Sequence, residues 1–214
     1  MLQRQIAALR HALAVPPPLA FEELFVIRDL AGRALRPMEP LPGVTPREAA
    51  ALLLLYPSAG ELWLPLTVRS ARLTTHRGEI SLPGGGADPG DGSPVQTALR
   101  EAWEELGIPP ASVEVLGTLT PCYIPPSNNT LTPVVGLSAT EPILRPDPAE
   151  VEAVFSVSLR TLLDPVTVQE EVWARQGVQM RVPFFAVAGH KVWGATALLL
   201  SELVVRLRRS DCRF

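Results

Sequence analysis

Residues 83–110, PGGGADPGDGSPVQTALREAWEELGIPP, constrain the fold more than any other part of this chain. Ser93 is a suitable N-cap, a proline follows it at the first helical position, and Gln96 completes a capping box. Gly107 suits a left-handed C-terminal cap, and the two prolines just beyond it prevent the helix from continuing. The sequence therefore predicts a helix over residues 94–106 that is entered from a glycine-rich loop.

The predicted helix has an apolar face and an acidic face. The apolar stripe consists of Val95, Ala98, Leu99, Ala102 and Leu106. Glu101, Glu104 and Glu105 crowd the last turns, where the helix dipole disfavours carboxylates and each like-charged pair costs roughly 0.2–0.5 kcal/mol. A solvated acidic surface is one interpretation, because glutamate is common on helices. A ligand set for a divalent ion such as Mg²⁺ or Mn²⁺ is the other.

The glycine run before the helix favours the second interpretation. Gly84, Gly85 and Gly86 would let the backbone approach a ligand closely, although three glycines often mark only a tight turn. A phosphate beside this loop and a cation on the helix carboxylates would together form a site for phosphoryl transfer.

The rest of the chain reads as an α+β domain with a mixed sheet, and its 214 residues suit one domain with an extension. A hairpin and four further strands are predicted at 49–56, 61–68, 113–119, 132–138, 151–159 and 178–187, with a loop at 69–92 and a final helix at 194–208. Residues 1–48 are predicted to be a helical, proline-rich extension of a domain at 49–214. We expect one helix there to end at the prolines 16–18 and a second to cover 21–33.

Composition and charge exclude several classes of function. With a net charge of −3, 47% hydrophobic and 19% charged residues, nothing indicates disorder or a nucleic-acid or membrane partner. Neither terminus resembles a signal peptide or a membrane span, so we expect a cytoplasmic protein. Cys122 and Cys212 lie far apart and have no metal-ligand spacing. The N-terminal extension and the final helix are candidate contacts of a homodimer.

From Gly86 onward the chain resembles the 23-residue Nudix box: glycine, five residues, glutamate, seven residues, then Arg-Glu-apolar-x-Glu-Glu-x-Gly-apolar. The second half is complete, with Arg100, Glu101, Ala102, Glu104, Glu105, Gly107 and Ile108. The first glutamate is missing, since Gly92 stands in its place with Asp91 beside it. In the family that glutamate usually pairs with the arginine of the box. Its absence is therefore expected to affect the architecture of the loop before the helix more than metal binding. The resemblance implies an α/β/α sandwich.

Residues 66–85, LTVRSARLTTHRGEISLPGG, are similar to the signature that precedes the box in coenzyme A diphosphatases. The matching positions are Thr67, Arg69, Ser70, Gly78, Pro83, Gly84 and Gly85. Two positions differ, because Thr74 stands where an arginine is expected and Leu82 where a phenylalanine is expected. Arg72 or Arg77 could supply the missing charge.

The two resemblances together imply metal-dependent hydrolysis of the pyrophosphate bond of coenzyme A or a derivative. Glu101 and Glu105, assisted by Glu104 and the Gly85 carbonyl, are the implied ligands of Mg²⁺ or Mn²⁺. Arg100 is expected to orient a box glutamate through a salt bridge rather than to touch the substrate.

Substrate binding and proton transfer involve residues outside the box helix. Arg69, Arg72 and Arg77 suit phosphate oxygens, which arginine binds bidentately, and the glycine run at 84–86 would lie against the same substrate. His76, among the arginines, reads better as a surface residue than as a catalyst. Glu150 is favoured as general base over its neighbour Glu152, and Glu79 is a further candidate.

Two other functions remain open. The chain could be a Nudix hydrolase of another nucleoside diphosphate derivative, such as ADP-ribose or a dinucleotide. It could also be a non-catalytic binding module with the Nudix fold, although a pure binder has no need of the unfavourable acidic cluster.

Overall fold

The computed structural model describes residues 2–14, 19, 21–37, 39–72, 78–175 and 177–209. The predictions for Pro16 to Pro18, for Thr74, His76 and Arg77, and for Cys212 lie outside these ranges. Four helices are present: α1 (Leu2–Ala14), α2 (Pro94–Leu106), α3 (Leu159–Leu163) and α4 (Gly194–Arg209). The strands are β1 (Arg28–Asp29), β2 (Arg47–Ser58), β3 (Glu61–Arg69), β4 (Ile80–Ser81), β5 (Gly84–Gly86), β6 (Val113–Thr118), β7 (Cys122–Ile124), β8 (Asn129–Ser138), β9 (Val151–Ser158), β10 (Val168–Arg175), β11 (Val178–Val187) and β12 (His190–Val192).

The strands form two sheets. In the larger one the order is β4-β3-β2-β8-β6, with β9 on β3, β5 on β2 and β7 on β8. The β2–β8 pair is parallel and the other pairs of this sheet are antiparallel, so the sheet is mixed. In the smaller sheet β11 pairs with β1, β10 and β12, all antiparallel.

Strand β2 lies at the centre because its sequence is apolar on both faces. Ala51, Leu53 and Leu55 belong to one core cluster, whereas Ala50, Leu52 and Leu54 belong to a second. Alternate residues of a strand point to opposite faces, so an unbroken apolar run such as AAALLLLY is typical of a strand covered on both sides.

Helices and the smaller sheet supply the two covering layers. Ala98, Ala102 and Leu106 of α2 pack in the second cluster against β2. Residues of α1, α4 and β11, including Leu9 and Phe185, pack in the first cluster. The predicted α/β/α sandwich with a mixed sheet and an N-terminal helix is therefore confirmed.

Helices α1 and α4 use their apolar residues within the chain. Leu9 is fully buried, and the Leu62 N–H donates to Gln5 Oε1 at 2.9 Å, which fixes α1 to the sheet. Along α4 eleven residues are buried, so these side chains are unavailable to a second copy, and the homodimer stays a prediction. No helix among the described ranges is long and apolar enough to cross a membrane.

Local sequence predicted some elements wrongly. The helix expected over 21–33 is a single 3-10 turn, Phe21–Glu23, followed by strand β1. The Asp29 carboxylate accepts from the N–H groups of Ala31 and Arg33, at 2.9 and 2.8 Å, and so closes a turn that a helix would not contain. The loop expected at 69–92 contains two short strands, β4 and β5, and the strands β7, β10 and β12 were not predicted.

Candidate active site

The glycine strand β5 lies between β2 and α2, close to the backbone of β2 at Gly84 and to the Glu101 carboxylate at Gly85. A Cβ at Gly84 would lie 2.5 Å from the Ala50 carbonyl oxygen and 2.6 Å from the Ala51 Cα. A Cβ at Gly85 would lie 2.6 Å from Glu101 Oε1. These two glycines therefore bring the strand backbone directly against the acidic side of the helix.

Glu105 is the most deeply buried of the three helix acids, with 3% of its surface exposed. The Gly84 N–H donates to its Oε1 at 3.3 Å. Burial raises the pKa of Glu105 to about 7, and the negative charges of Glu150 and Glu101 add to this, while the Gly84 hydrogen bond and Arg69 act in the opposite direction. A carboxylate in this position gains from any positive charge brought to it.

Glu101 and Glu104 share one guanidinium. Arg100 Nη1 donates to Glu101 Oε1 at 2.9 Å and to Glu104 Oε2 at 3.0 Å. Burial raises the pKa of Glu101, whereas 54% of the Glu104 side chain is exposed. The structure thus contains the salt bridge expected of Arg100; the catalytic role of each partner stays a prediction.

Asp91 takes up the other side of Arg100. Arg100 Nη2 donates to Asp91 Oδ2 at 3.0 Å, and Arg100 Nε lies 3.2 Å from both carboxylate oxygens. Asp91 also accepts from the Thr97 hydroxyl and from the Asp88 N–H, each at 3.0 Å. These hydrogen bonds, that of Arg100 first, lower the pKa of Asp91 to about 2. The backbone at Gly92, where the box has glutamate, donates instead to Gln96 Oε1. The sequence placed Asp91 beside the gap but did not assign it this partner.

The donor set fits a small divalent ion. No three acidic, histidine or cysteine side chains of the described ranges converge as a metal site. Glu101 nevertheless lies against Gly85, Glu105 accepts from the Gly84 N–H, the charge of Glu101 acts on Glu105, and burial raises the pKa of both carboxylates. Mg²⁺ is commonly held by one or two carboxylates and several waters, so two acids and a backbone oxygen form an adequate set.

A cavity of about 670 Å³ opens on the glycine strand, and its lining includes Gly84, Gly85, Arg69 and Glu79. Arg69 Nε is buried and has no hydrogen-bond partner among the described residues. Arg72 is exposed and does not line this cavity. Of the three arginines predicted to bind phosphate, Arg69, Arg72 and Arg77, Arg69 is therefore the one among the described residues that lines the cavity.

Of the two main candidates for the general base, Glu79 lines the cavity and Glu150 does not. Glu150 is exposed, its carbonyl oxygen accepts from the Ser70 N–H at 2.8 Å, and its charge raises the pKa of both Glu101 and Glu105. Glu79 lines the cavity, and its carbonyl oxygen accepts from the Arg69 N–H at 3.0 Å. Glu152, as expected, is already in strand β9.

Three residues of the cavity were missed by sequence reasoning: Arg36, Arg175 and Trp193. They come from the loop after β1, the end of β10 and the residue before α4. No local motif marks Arg36 or Arg175, which are distant in sequence and come to one cavity through tertiary structure, in which β11 lies beside both β1 and β10.

A glycine strand lies against an acidic helix on a mixed sheet that is covered on both faces, which defines an α/β/α protein with a candidate metal site. The NUDIX domain model matches residues 45–176, more than half of the chain. The chain belongs to the Nudix hydrolase family, whose members generally use divalent metal ions.

Similar proteins include two curated relatives. An uncharacterized Nudix hydrolase, NudL of Photorhabdus laumondii, is 40% identical over 159 residues, covering 74% of this chain and 84% of that protein. The human mitochondrial coenzyme A diphosphatase NUDT8 is 38% identical over 165 residues, covering 76% of this chain and 70% of that protein. Among solved structures, the Nudix hydrolase RenU of M. smegmatis is 28% identical, with a TM-score of 0.45, over 52% of this chain and 70% of that one.

Proposed function

We propose that this protein hydrolyses the pyrophosphate bond of coenzyme A or a coenzyme A derivative with the aid of Mg²⁺ or Mn²⁺. Water adds to one phosphorus of the anhydride, the bridging P–O bond breaks, and a proton is released. The products from free coenzyme A are 4′-phosphopantetheine and adenosine 3′,5′-bisphosphate.

One observation carries the proposal: the basic cavity opens on the glycine strand that lies against Glu101 and Glu105. Similarity to the human coenzyme A diphosphatase over 76% of this chain supports the choice of substrate. A cavity of about 670 Å³ is within the range that takes a ligand much larger than a pyrophosphate.

Glu101, Glu105 and the Gly85 carbonyl would hold the divalent ion, with Glu104 able to join them if it leaves Arg100. The ion would supply positive charge to the pyrophosphate oxygens and lower the pKa of the attacking water. Arg100 holds Glu101 in place through its salt bridge. Arg69, with its unpartnered Nε, is the arginine of the described loop that would bind a phosphate oxygen; Arg72 and Arg77 stay as predicted contributors.

Glu150 is our preferred general base, since its charge already acts on both buried carboxylates. Glu79, on the cavity wall, is the alternative. Replacing each by glutamine separates them, because loss of the base should lower kcat by about 10²–10⁴-fold. Glu150→Gln should show this loss and Glu79→Gln should not; the reverse result would assign the base to Glu79.

Chromatography of the products tests the substrate. Purified protein with Mg²⁺ or Mn²⁺ should convert coenzyme A to the two products above, and chelation should stop the reaction. Faster cleavage of ADP-ribose or a dinucleotide would replace coenzyme A with that class of substrate. Binding without hydrolysis of any pyrophosphate would identify a non-catalytic module instead.

A further inference from the structure

The charged side chains that line the cavity are mostly positive. They are Arg36, Arg69 and Arg175, opposed by one carboxylate, Glu79. Arg69 lines the cavity together with Gly84 and Gly85, and in the proposed function it binds a phosphate oxygen of the pyrophosphate. Arg36 and Arg175 lie on the wall formed by the smaller sheet and its preceding loop, so they need a different explanation.

Arg36 and Arg175 are placed where they repel each other. Burial is the largest cause that lowers the pKa of Arg36, and the positive charge of Arg175 lowers it further. The negative charge of Glu79 acts in the opposite direction and raises this pKa. No hydrogen bond or ion pair joins either guanidinium to another of the described residues. Two like charges that have no hydrogen-bonded partner among the described residues repel each other on one wall of a cavity, and an anion bound between them would relieve that repulsion. Guanidinium groups suit a phosphate dianion, because they bind its oxygens through charge-assisted hydrogen bonds.

An aromatic surface lies next to this pair. Trp193 lines the cavity together with Arg36 and Arg175, and the same three residues border an adjoining groove of about 710 Å³. The indole of Trp193 is half-buried and meets that of Trp173 edge to face, with ring centroids 5.0 Å apart. A fixed indole beside two arginines is a combination that binds a nucleobase and a phosphate of the same nucleotide.

We propose that Arg36 and Arg175 bind a phosphate monoester on the ribose of the substrate, with Trp193 stacking on its base. This subsite rests on the proposed function, in which the 3′-phosphate of coenzyme A is that monoester. Arg36 and Trp193 lie outside residues 45–176 and Arg175 lies inside them, so the subsite joins one residue of the region that matches the family to two residues outside it.

The test compares coenzyme A with 3′-dephospho-coenzyme A as substrates of Arg36→Gln and Arg175→Gln. Each variant should lower kcat/KM for coenzyme A by about tenfold or more, since a charge-assisted hydrogen bond is lost, and should leave dephospho-coenzyme A within about twofold. Arg181→Gln is the matched control. It removes an arginine of the same sheet that pairs with Glu170 and does not line the cavity, so both substrates should be unaffected.

Equal losses on the two substrates, or no loss on either, would overturn the subsite. Binding to the metal-free protein gives a second readout that does not need turnover. Calorimetry should show adenosine 3′,5′-bisphosphate binding about tenfold or more tightly than adenosine 5′-monophosphate, and both arginine variants should remove the difference. A wild-type protein that cleaves neither substrate would defeat the proposed function, and the calorimetric comparison would then decide the subsite alone.

Discussion

Asp91 and Arg100 form the ion pair that the Nudix box normally makes with a glutamate one residue later. Arg100 Nη2 donates to Asp91 Oδ2 at 3.0 Å, and the same guanidinium binds Glu101 and Glu104 through Nη1. Through Nη2 it also donates to the Gly86 carbonyl at 2.9 Å. Asp91 thus fixes Arg100, which links the glycine strand to the helix acids. In this ion pair Asp91 stands in for the glutamate that the box has at position 92.

Asp91→Asn should lower kcat/KM by about tenfold, as is common when a residue that positions a metal ligand loses its charge. Steady-state hydrolysis measures this loss. Asp88→Asn is the control, since that exposed carboxylate reaches Arg100 Nε only at 3.8 Å and should have little effect. Adding Gly92→Glu to Asp91→Asn should recover activity, because a side chain at 92 meets only the flexible Gln96 amide. Equal loss in both aspartate variants would contradict the replacement.

The contribution of Asp91 to stability should depend on pH. Its pKa falls from the ordinary 3.8 to about 2 on folding, so the folded state favours the ionised form. The resulting stability is present above about pH 4 and disappears as the pH falls towards about 2. Urea unfolding of the wild type and Asp91→Asn should therefore differ most near neutral pH and converge in acid. A difference that grew on acidification would show that the ion pair does not stabilise the loop.

The three glycines of β5 should respond differently to alanine. Gly84→Ala places a Cβ against the backbone of β2 and should unfold or strongly destabilise the protein. Gly85→Ala meets only the flexible Glu101 carboxylate, so the fold should survive while activity falls, because that carboxylate is displaced. Gly86→Ala has nothing within 4 Å and should be tolerated. Thermal unfolding and hydrolysis measured on all three test this; an active Gly85→Ala variant would remove Glu101 from the site.

Glu105→Gln should abolish nearly all turnover while the fold survives. Without metal, the Glu105→Gln variant should also have a higher free energy of unfolding than the metal-free wild type in mild alkali. The folded pKa of Glu105 is raised to about 7, so the wild type loses stability as the pH rises from about 4.5 through about 7. The Tm of the metal-free wild type at about pH 8 should therefore be a few degrees below the Tm of the Glu105→Gln variant. Mg²⁺ should raise the Tm of the wild type and not that of the variant; wild-type rates in Glu105→Gln would refute the metal assignment.

The sequence predicted best the elements whose signals are local. Helix α2 begins at the predicted N-cap, with the Gln96 N–H donating to Ser93 Oγ, and ends at Gly107 with φ of 67°. The β2–β3 hairpin is confirmed by the pairing of Tyr56 with Trp63. In both cases turn chemistry and apolar periodicity lie within about a dozen residues.

Elements that depend on distant partners were missed. Strand β5 has three glycines and no apolar pattern, and it exists because β2 pairs with it. Local sequence predicts a helix where strand β1 lies, and pairing with Arg181 and Met180 of β11 makes this segment a strand. Arg36 and Arg175 are 139 positions apart, so only tertiary structure could bring them to one cavity.

Competition between two substrates tests the central claim most directly. Equimolar coenzyme A and ADP-ribose, mixed with the protein and Mg²⁺, give initial rates whose ratio is the ratio of the two kcat/KM values. Coenzyme A should be consumed at least about tenfold faster, yielding 4′-phosphopantetheine and adenosine 3′,5′-bisphosphate, and Glu105→Gln should consume neither. Equal or faster consumption of ADP-ribose would contradict the assignment of coenzyme A as the substrate.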